Sequence, residues 1–387
     1  MTAYEQLIQE ALAAEGPGGP GGPGGSGDDP ARAERAVRDL LAAGPEALRR
    51  VLATAVERPD RHHPVLYEVI RRSTTPEAVP VLLTHTGAGP AALAASVLYA
   101  LARSGGDEGP DRVEATLADR TAPPTTRAAA AEALQGAART GTDETLRAVL
   151  AEQRREPVDP EWPLLLVNTA IALATTGDHS GAAALHPLLA SPHEAARALA
   201  VGAYRLVLDE DSPHALARAL ADPGAEVRRA AVDPVFLIGS PAAAGLLLRS
   251  AHEDPDDEVR FNALVRFGNI AGLWLSGDAE ELPFADERWS ELRETLDPAV
   301  CHRFGVPVTL TDLVEEFTDE ERLRPSIAAE LRILTGADVP AAYARGGIEA
   351  ALRTVRDVPF TPGRIHKWGL TRPMPPLLPP PPLPPSP

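Results

Sequence analysis

The sequence predicts an all-α fold, a right-handed α-solenoid of stacked antiparallel helix pairs. Three observations carry that prediction. First, Asp222-Pro-Gly-Ala-Glu-Val227-Arg228 recurs as Asp254-Pro-Asp-Asp-Glu-Val259-Arg260, with the two arginines 32 residues apart. A fixed period of that size is the signature of repeated supersecondary units that bury their faces only by stacking. Second, small helix-ending residues recur at Gly105, Gly141, Gly177, Asp209, Gly239 and Gly272, at intervals of 36, 36, 32, 30 and 33. Third, 44% of residues are hydrophobic but only 4% aromatic. A core of Ala, Leu and Val suits closely packed helices, and Ala and Leu are strong helix formers. At 387 residues the chain exceeds one ordinary domain, but a solenoid escapes that limit because each repeat contacts only its neighbours.

Taken in order, residues 1–15 read as a short amphipathic helix with Leu7, Ile8, Ala11 and Leu12 on one face. Residues 16–29, which open with GPGGPGGPGGSG, are too rich in Gly and Pro for a regular element and read as a disordered, flexible tether. The first helix is then either a detachable recognition element or a segment that docks back on the body. A repeat body is expected over 30–275. Its early pairs are 45–57 with 62–72 and 76–85 with 90–103, and later first helices fall at 110–120, 142–155, 180–190, 212–221 and 240–251. Ser212-Pro213 and Ser240-Pro241 open two of these, Pro being tolerated where the first-turn N–H has no partner. About seven to nine pairs are expected in all. Gly336 lies 64 residues beyond Gly272, so residues 276–357 read as degenerate helical repeats or a cap. There Trp274, Phe284, Trp289, Phe304 and Phe317 gather near an inserted loop at 277–284, as end packing or as a binding surface. Residues 358–387 form a Pro-rich disordered tail that favours polyproline II.

The Asp–Val–Arg pattern resembles HEAT repeats, in particular the short bacterial HEAT-like or PBS-lyase-type form. The resemblance rests on Asp222, Val227 and Arg228 and on Asp254, Val259 and Arg260, with Asp and Arg six apart. Ser191 with Arg197 and Thr121 with Arg127 keep the spacing with a weaker turn acceptor. It covers residues 45–275 well and 276–336 poorly. The turn carboxylate is expected to cap the second helix and to accept from Arg, whose planar fork can hold one turn against the next. These residues are accordingly read as a structural ladder.

His193-Glu194 resembles the His-Glu dipeptides of deoxyhypusine hydroxylase, a HEAT-like iron enzyme. That family needs several such dipeptides in symmetric places, and here His252-Glu253 falls at the end of a first helix while His62-His63 lacks a Glu. No P-loop, GxSxG, HExxH or paired-Cys motif is visible. The expectation is no enzyme and no cofactor or metal, with a HEAT-like hydroxylase or lyase as the enzymatic alternative.

Net charge is −18. Such a chain is repelled by nucleic-acid phosphates and anionic headgroups, which leaves a protein partner, with a basic one favoured. The repeats lack the basic face of a HEAT-like DNA glycosylase. Lys367 is the only lysine, in keeping with a GC-rich bacterial coding bias. Cys301 is the single cysteine, residues 1–15 do not read as a signal peptide, and no stretch reaches the ~18 apolar residues of a membrane span. The chain therefore reads as a cytoplasmic scaffold or adaptor, or alternatively as an immunity or inhibitor protein that neutralises a basic partner. The partner-binding candidates are polar positions on second helices: Asn168, Tyr204, Glu226, Arg229, Glu258, Asn262, Arg266 and Asn269. The last three share one helix face.

Overall fold

The computed structural model describes residues 3–14 and 30–358, except 59–62, 87–88, 140, 153–161, 177, 179, 208–211, 298–300 and scattered positions between 322 and 338. The tether at 16–29 and the tail beyond 358 lie outside the described residues, as do Asp209, Gly177 and Gly336. Among the described residues there are nineteen α-helices and one two-stranded hairpin, and no helix is long and apolar enough to cross a membrane. The chain forms two compact units, residues 1–145 and 146–387.

The first unit contains α1 (Ala3–Ala14), α2 (Pro30–Ala42), α3 (Gly44–Glu57), α4 (Pro64–Arg72), α5 (Val79–Leu83), α6 (Ala91–Ala102), α7 (Glu108–Ala118) and α8 (Pro124–Leu134). Each odd-numbered helix packs on the even one that follows. The even helices α2, α4, α6 and α8 pack on one another in turn, as do α1, α3, α5 and α7. The amphipathic stretch at the N-terminus is therefore the first helix of the first pair. Its Ile8, Ala11 and Leu12 are buried, and it packs on α2, α3 and α4. Of the two readings open from the sequence, the structure has the docked one. Proline opens α3, α4, α5 and α8 within the first two positions, where its missing donor costs nothing. Arg103 ties two pairs together. Its guanidinium lies 3.6 Å from the centre of the Tyr99 ring and donates to the Ala133 and Gln135 carbonyls at the end of α8.

The chain passes into the second unit within α9 (Thr142–Glu152). There follow α10 (Trp162–Ala174), α11 (Ala182–Leu189), α12 (Glu194–Ala203), α13 (Ser212–Ala219), α14 (Ala225–Ile238), α15 (Pro241–Glu253) and α16 (Asp257–Ala271). Pairs form between α11 and α12, α13 and α14, and α15 and α16, and the second helices α10, α12, α14 and α16 lie side by side in sequence. The core is the expected one of small aliphatics, with Ala200, Ala231, Ala263, Leu216, Leu247, Val227 and Val259 buried. Gly239 and Gly272 end α14 and α16 in the left-handed conformation, at φ +63° and +77°. At Gly239 a Cβ would come within 2.5 Å of Cys301 Sγ, so both conformation and space demand glycine.

Beyond α16 the pattern departs from continued helical repeats. A 3₁₀ turn (Ala279–Glu281) leads into α17 (Leu282–Leu292), and then a hairpin of β1 (His302–Arg303) and β2 (Val306–Pro307) packs on α16. The His302 amide donates to the Gly239 carbonyl and the Gly305 amide to that of Ile270. The hairpin thus satisfies carbonyls at the ends of α14 and α16, where otherwise the last helical acceptors have no partner. α18 (Leu310–Asp319) follows behind a Thr309/Asp312 capping box, and α19 (Val339–Val355), kinked at Gly346–Gly347, is the last described helix.

Candidate functional site

The repeat residues of the second unit build a ladder of arginines and carboxylates. Val227 and Val259 turn into the core, 1% and 0% exposed. The arginine that follows each is thereby placed beside the turns. Arg228 donates from Nε and Nη2 to both oxygens of Asp254, at 2.8 and 3.1 Å, with the pair's side chains 5% and 2% exposed. Its Nη1 donates to the main-chain carbonyls of Asp222 and Pro223. Arg197 repeats the arrangement one step earlier, holding both oxygens of Asp222 at 2.9 Å and the Ser191 carbonyl. The Asp222 carboxylate holds the Arg197 guanidinium in its charged form, above its usual range. Each arginine thus reads the main chain of its own turn, six residues back, and the carboxylate of the next.

This corrects the expected capping role. Asp222 and Asp254 do not cap α14 and α16. Their carboxylates accept from the amides two residues on, Gly224 and Asp256, and so close the turns. The N-cap of α16 is Asp256, accepting from the Val259 amide, while α14 begins at Gly224 with no side-chain cap. The six-residue spacing is also satisfied through the Asp carbonyl, since Arg260 donates to the Asp254 carbonyl and pairs with Asp257 of its own helix. Arg127, in the first unit, departs further and donates to the Leu117 carbonyl.

Beside the ladder lies a second set. Glu194, Glu226 and Glu258 occupy the first turns of α12, α14 and α16 at 32-residue intervals. The Glu194 carboxylate accepts from the Glu226 amide. Arg229 sits among Glu226 at 2.8 Å, Glu258 at 3.1 Å and Asp256 at 3.5 Å. Partial burial works to lower Arg229, but these carboxylates outweigh it and raise its pKa. Asp256 is held below the ordinary carboxylate range, first by the Val259 amide and then by Arg229.

The remaining sequence candidates divide. Asn262, Arg266 and Asn269 are half-buried on α16. Arg266 is engaged with α14, donating to Asp233 at 2.8 Å with its guanidinium 4.9 Å from the Phe236 ring centre. The Asn269 carbonyl accepts from the Phe304 amide of the hairpin. Tyr204 and Asn168 are corrections: Tyr204 is fully buried at the end of α12, and Asn168 is buried in α10. Neither side chain reaches a surface open to a partner. Sequence reasoning missed Phe261, which is 47% exposed on α16 one position before Asn262. It read Glu194 only as part of the His193-Glu194 dipeptide and not as a member of the acidic series, although the 32-residue spacing to Glu226 and Glu258 was there to find.

A separate apolar patch stands at the far end of α16. Trp274 is 93% exposed and stacks on Phe304 with ring centres 6.3 Å apart, and Val306 beside it is also exposed. His193 and Glu194 are exposed, and His252 Nε2 lies 2.9 Å from Asp286. Among the described residues no three His, Cys, Asp or Glu side chains gather as a metal-binding group.

HEAT repeats match residues 182–266, which run from α11 through most of α16. No curated protein matches the chain. Among solved structures, an engineered protein is 17% identical, with 92% of this chain and 95% of that one covered and a TM-score of 0.31. Human deoxyhypusine hydroxylase in complex with glycerol is also 17% identical, with 84% and 99% covered and a TM-score of 0.29. Likenesses of that size carry no argument about function. Residues 182–266 of this all-α chain match HEAT repeats, and the Arg–Asp ladder links their successive turns.

Proposed function

We propose that this protein is a non-enzymatic scaffold or adaptor that binds a basic protein partner along the second helices of its second unit. The observation that supports this most is the division of labour among charges. The ladder carboxylates are consumed by Arg197 and Arg228, while Glu226 and Glu258 keep 64% and 61% of their side-chain surface exposed at a fixed spacing. Phe261 adds exposed apolar area on the same helix as Glu258. A rigid stack with periodic exposed acids next to an exposed aromatic suits capture of a protein carrying spaced Arg or Lys residues. The net charge of −18 supports a basic partner and disfavours phosphate backbones. The single cysteine supports a cytoplasmic setting.

The test is charge reversal at Glu226→Lys with Glu258→Lys, using partners isolated on the wild-type chain from its native host. Affinity should fall about tenfold or more, equivalent to about 1.4 kcal/mol or more, with the loss shrinking as salt rises. Stability should change by less than about 1 kcal/mol, because Glu226 and Glu258 are themselves mostly exposed. Unchanged affinity removes the second-helix surface from the proposal.

A further inference from the structure

The Trp274–Phe304 patch has a built geometry. Trp274 lies two residues beyond the α16 stop at Gly272, and Phe304 sits at the tip of the hairpin with φ +53°. A non-glycine residue in that region is strained by about 1 kcal/mol or more and persists only where its surroundings enforce it. Here the Phe304 and Gly305 amides donate to the Asn269 and Ile270 carbonyls, which fixes the tip against α16. The result holds one aromatic ring almost wholly in solvent and stacks a second on it, in a chain with 4% aromatic residues. Exposed aromatic pairs of this kind are the surface on which proline rings pack, and a polyproline II segment is ordered beforehand, so docking costs it little entropy.

The chain that follows Trp274 carries charge. Residues 276–297 hold eight Asp or Glu against Arg288 and Arg293. The chain's own sequence supplies the complement. Residues 373–387 contain ten prolines in 15 positions, and residues 359–372 carry Arg364, Lys367 and Arg372 with no acid. This is the one basic, Pro-rich segment of a chain whose residues 1–358 sum to −21, from −18 overall less +3.

Reach is sufficient. Arg303, next to Phe304, pairs with Glu316 of α18 at 2.7 Å, and Phe317 of α18 meets Tyr343 of α19 edge-on at 5.4 Å. The helix that leads to the tail therefore lies two contacts from the patch. Residues 359–372 span up to about 46 Å when extended, against about 18 Å at most from Tyr343 to Val355, where α19 is kinked at Gly346–Gly347.

We propose that the Trp274–Phe304 patch is a polyproline-binding site whose occupant is the chain's own residues 373–387, guided by pairing of Arg364, Lys367 and Arg372 with the acids of 278–297. Attachment gives an effective concentration on the order of mM, so the site is filled within one chain without high intrinsic affinity. The test uses the full chain, with indole ¹⁵N-labelled tryptophan and a nitroxide at Ser386→Cys. The Trp274 indole signal should lose most of its intensity, independently of protein concentration, and regain it when Pro379 to Pro382 are replaced by Ser. Phe304→Ala should restore it likewise, while the Trp162 signal stays unchanged throughout as a check that the fold persists. An unaffected Trp274 signal, or one still broadened in the serine variant, overturns the proposal. Broadening that grows with concentration, and passes from labelled chains to unlabelled ones, assigns the site to a second copy's tail and also overturns it.

Discussion

Replacing Asp254 by Ala isolates the inner rung of the ladder. The side chain is 2% exposed and accepts from Arg228 Nε and Nη2 and from the Asp256 amide. Its removal leaves the Arg228 guanidinium buried, still bonded to the Asp222 and Pro223 carbonyls but with no counter-charge. Breaking a buried pair from one side costs about 3–5 kcal/mol, because a charge is left desolvated and uncompensated. Applied to a unit the size of residues 146–358, that lowers its melting temperature by roughly 6–20 °C. The measurement is calorimetry with a parallel urea titration, following hydrogen exchange in α14 and α16 so that the second unit's transition is read by itself. A companion variant, Arg228→Met with Asp254→Leu, removes both charges and should recover most of the loss, since well-packed apolar residues replace buried pairs at little cost. A cost for Asp254→Ala below about 1 kcal/mol would place the pair with ordinary surface ion pairs and sink the argument that burial makes it the register-setting contact.

Asp222→Ala, whose pair with Arg197 is 13% exposed on each side, should cost less, about 1–3 kcal/mol in the same titration. Gly239→Ala meets both a left-handed backbone and Cys301 Sγ, and should destabilise by about 1–3 kcal/mol, visible as faster exchange of the His302 amide. Asp256 predicts a pH dependence. Its folded pKa is depressed, chiefly by the Val259 amide. Its contribution is therefore complete above the unfolded value of about 3.9 and is lost as pH falls through the folded one. Asp256→Asn keeps a capping oxygen and should flatten that part of the acid limb of the stability profile; an unchanged acid limb would assign the dependence to other carboxylates.

The period and the core were legible because they rest on local facts. Val227 and Val259 recur with their arginines, and helix-ending glycines at 239 and 272 mark a backbone only glycine favours. Of the ladder, a link from one turn to the next through Arg was legible, but not which group of each Asp an arginine meets. A six-residue Asp-to-Arg spacing suggests a contact within one turn, and that contact exists, but through the Asp222 and Asp254 carbonyls. The carboxylates belong to the arginines 25 and 26 residues earlier, a pairing set by stacking distance that no local pattern encodes. Tyr204 reads as a polar helix position because its hydroxyl suggests solvent, while its ring is large enough to be drawn into the core where α12 ends. The hairpin at 302–307 escaped because two residues per strand leave no alternation to detect. For Trp274 the sequence left end packing and a binding surface both open, and only the course of the chain after Gly272 turns the indole out.

The forward reach of the arginines also defines what a transferable segment of this protein is. Residues 222–253 contain the acceptor for the arginine behind, Asp222, and the donor for the turn ahead, Arg228. A tandem copy of that segment would place its second Asp222 where Asp254 now stands relative to the first Arg228, so the rung would re-form at the new seam. The array is therefore modular in whole repeats, and lengthening by unequal recombination or by design must insert complete periods, because any other length moves an arginine away from its carboxylate.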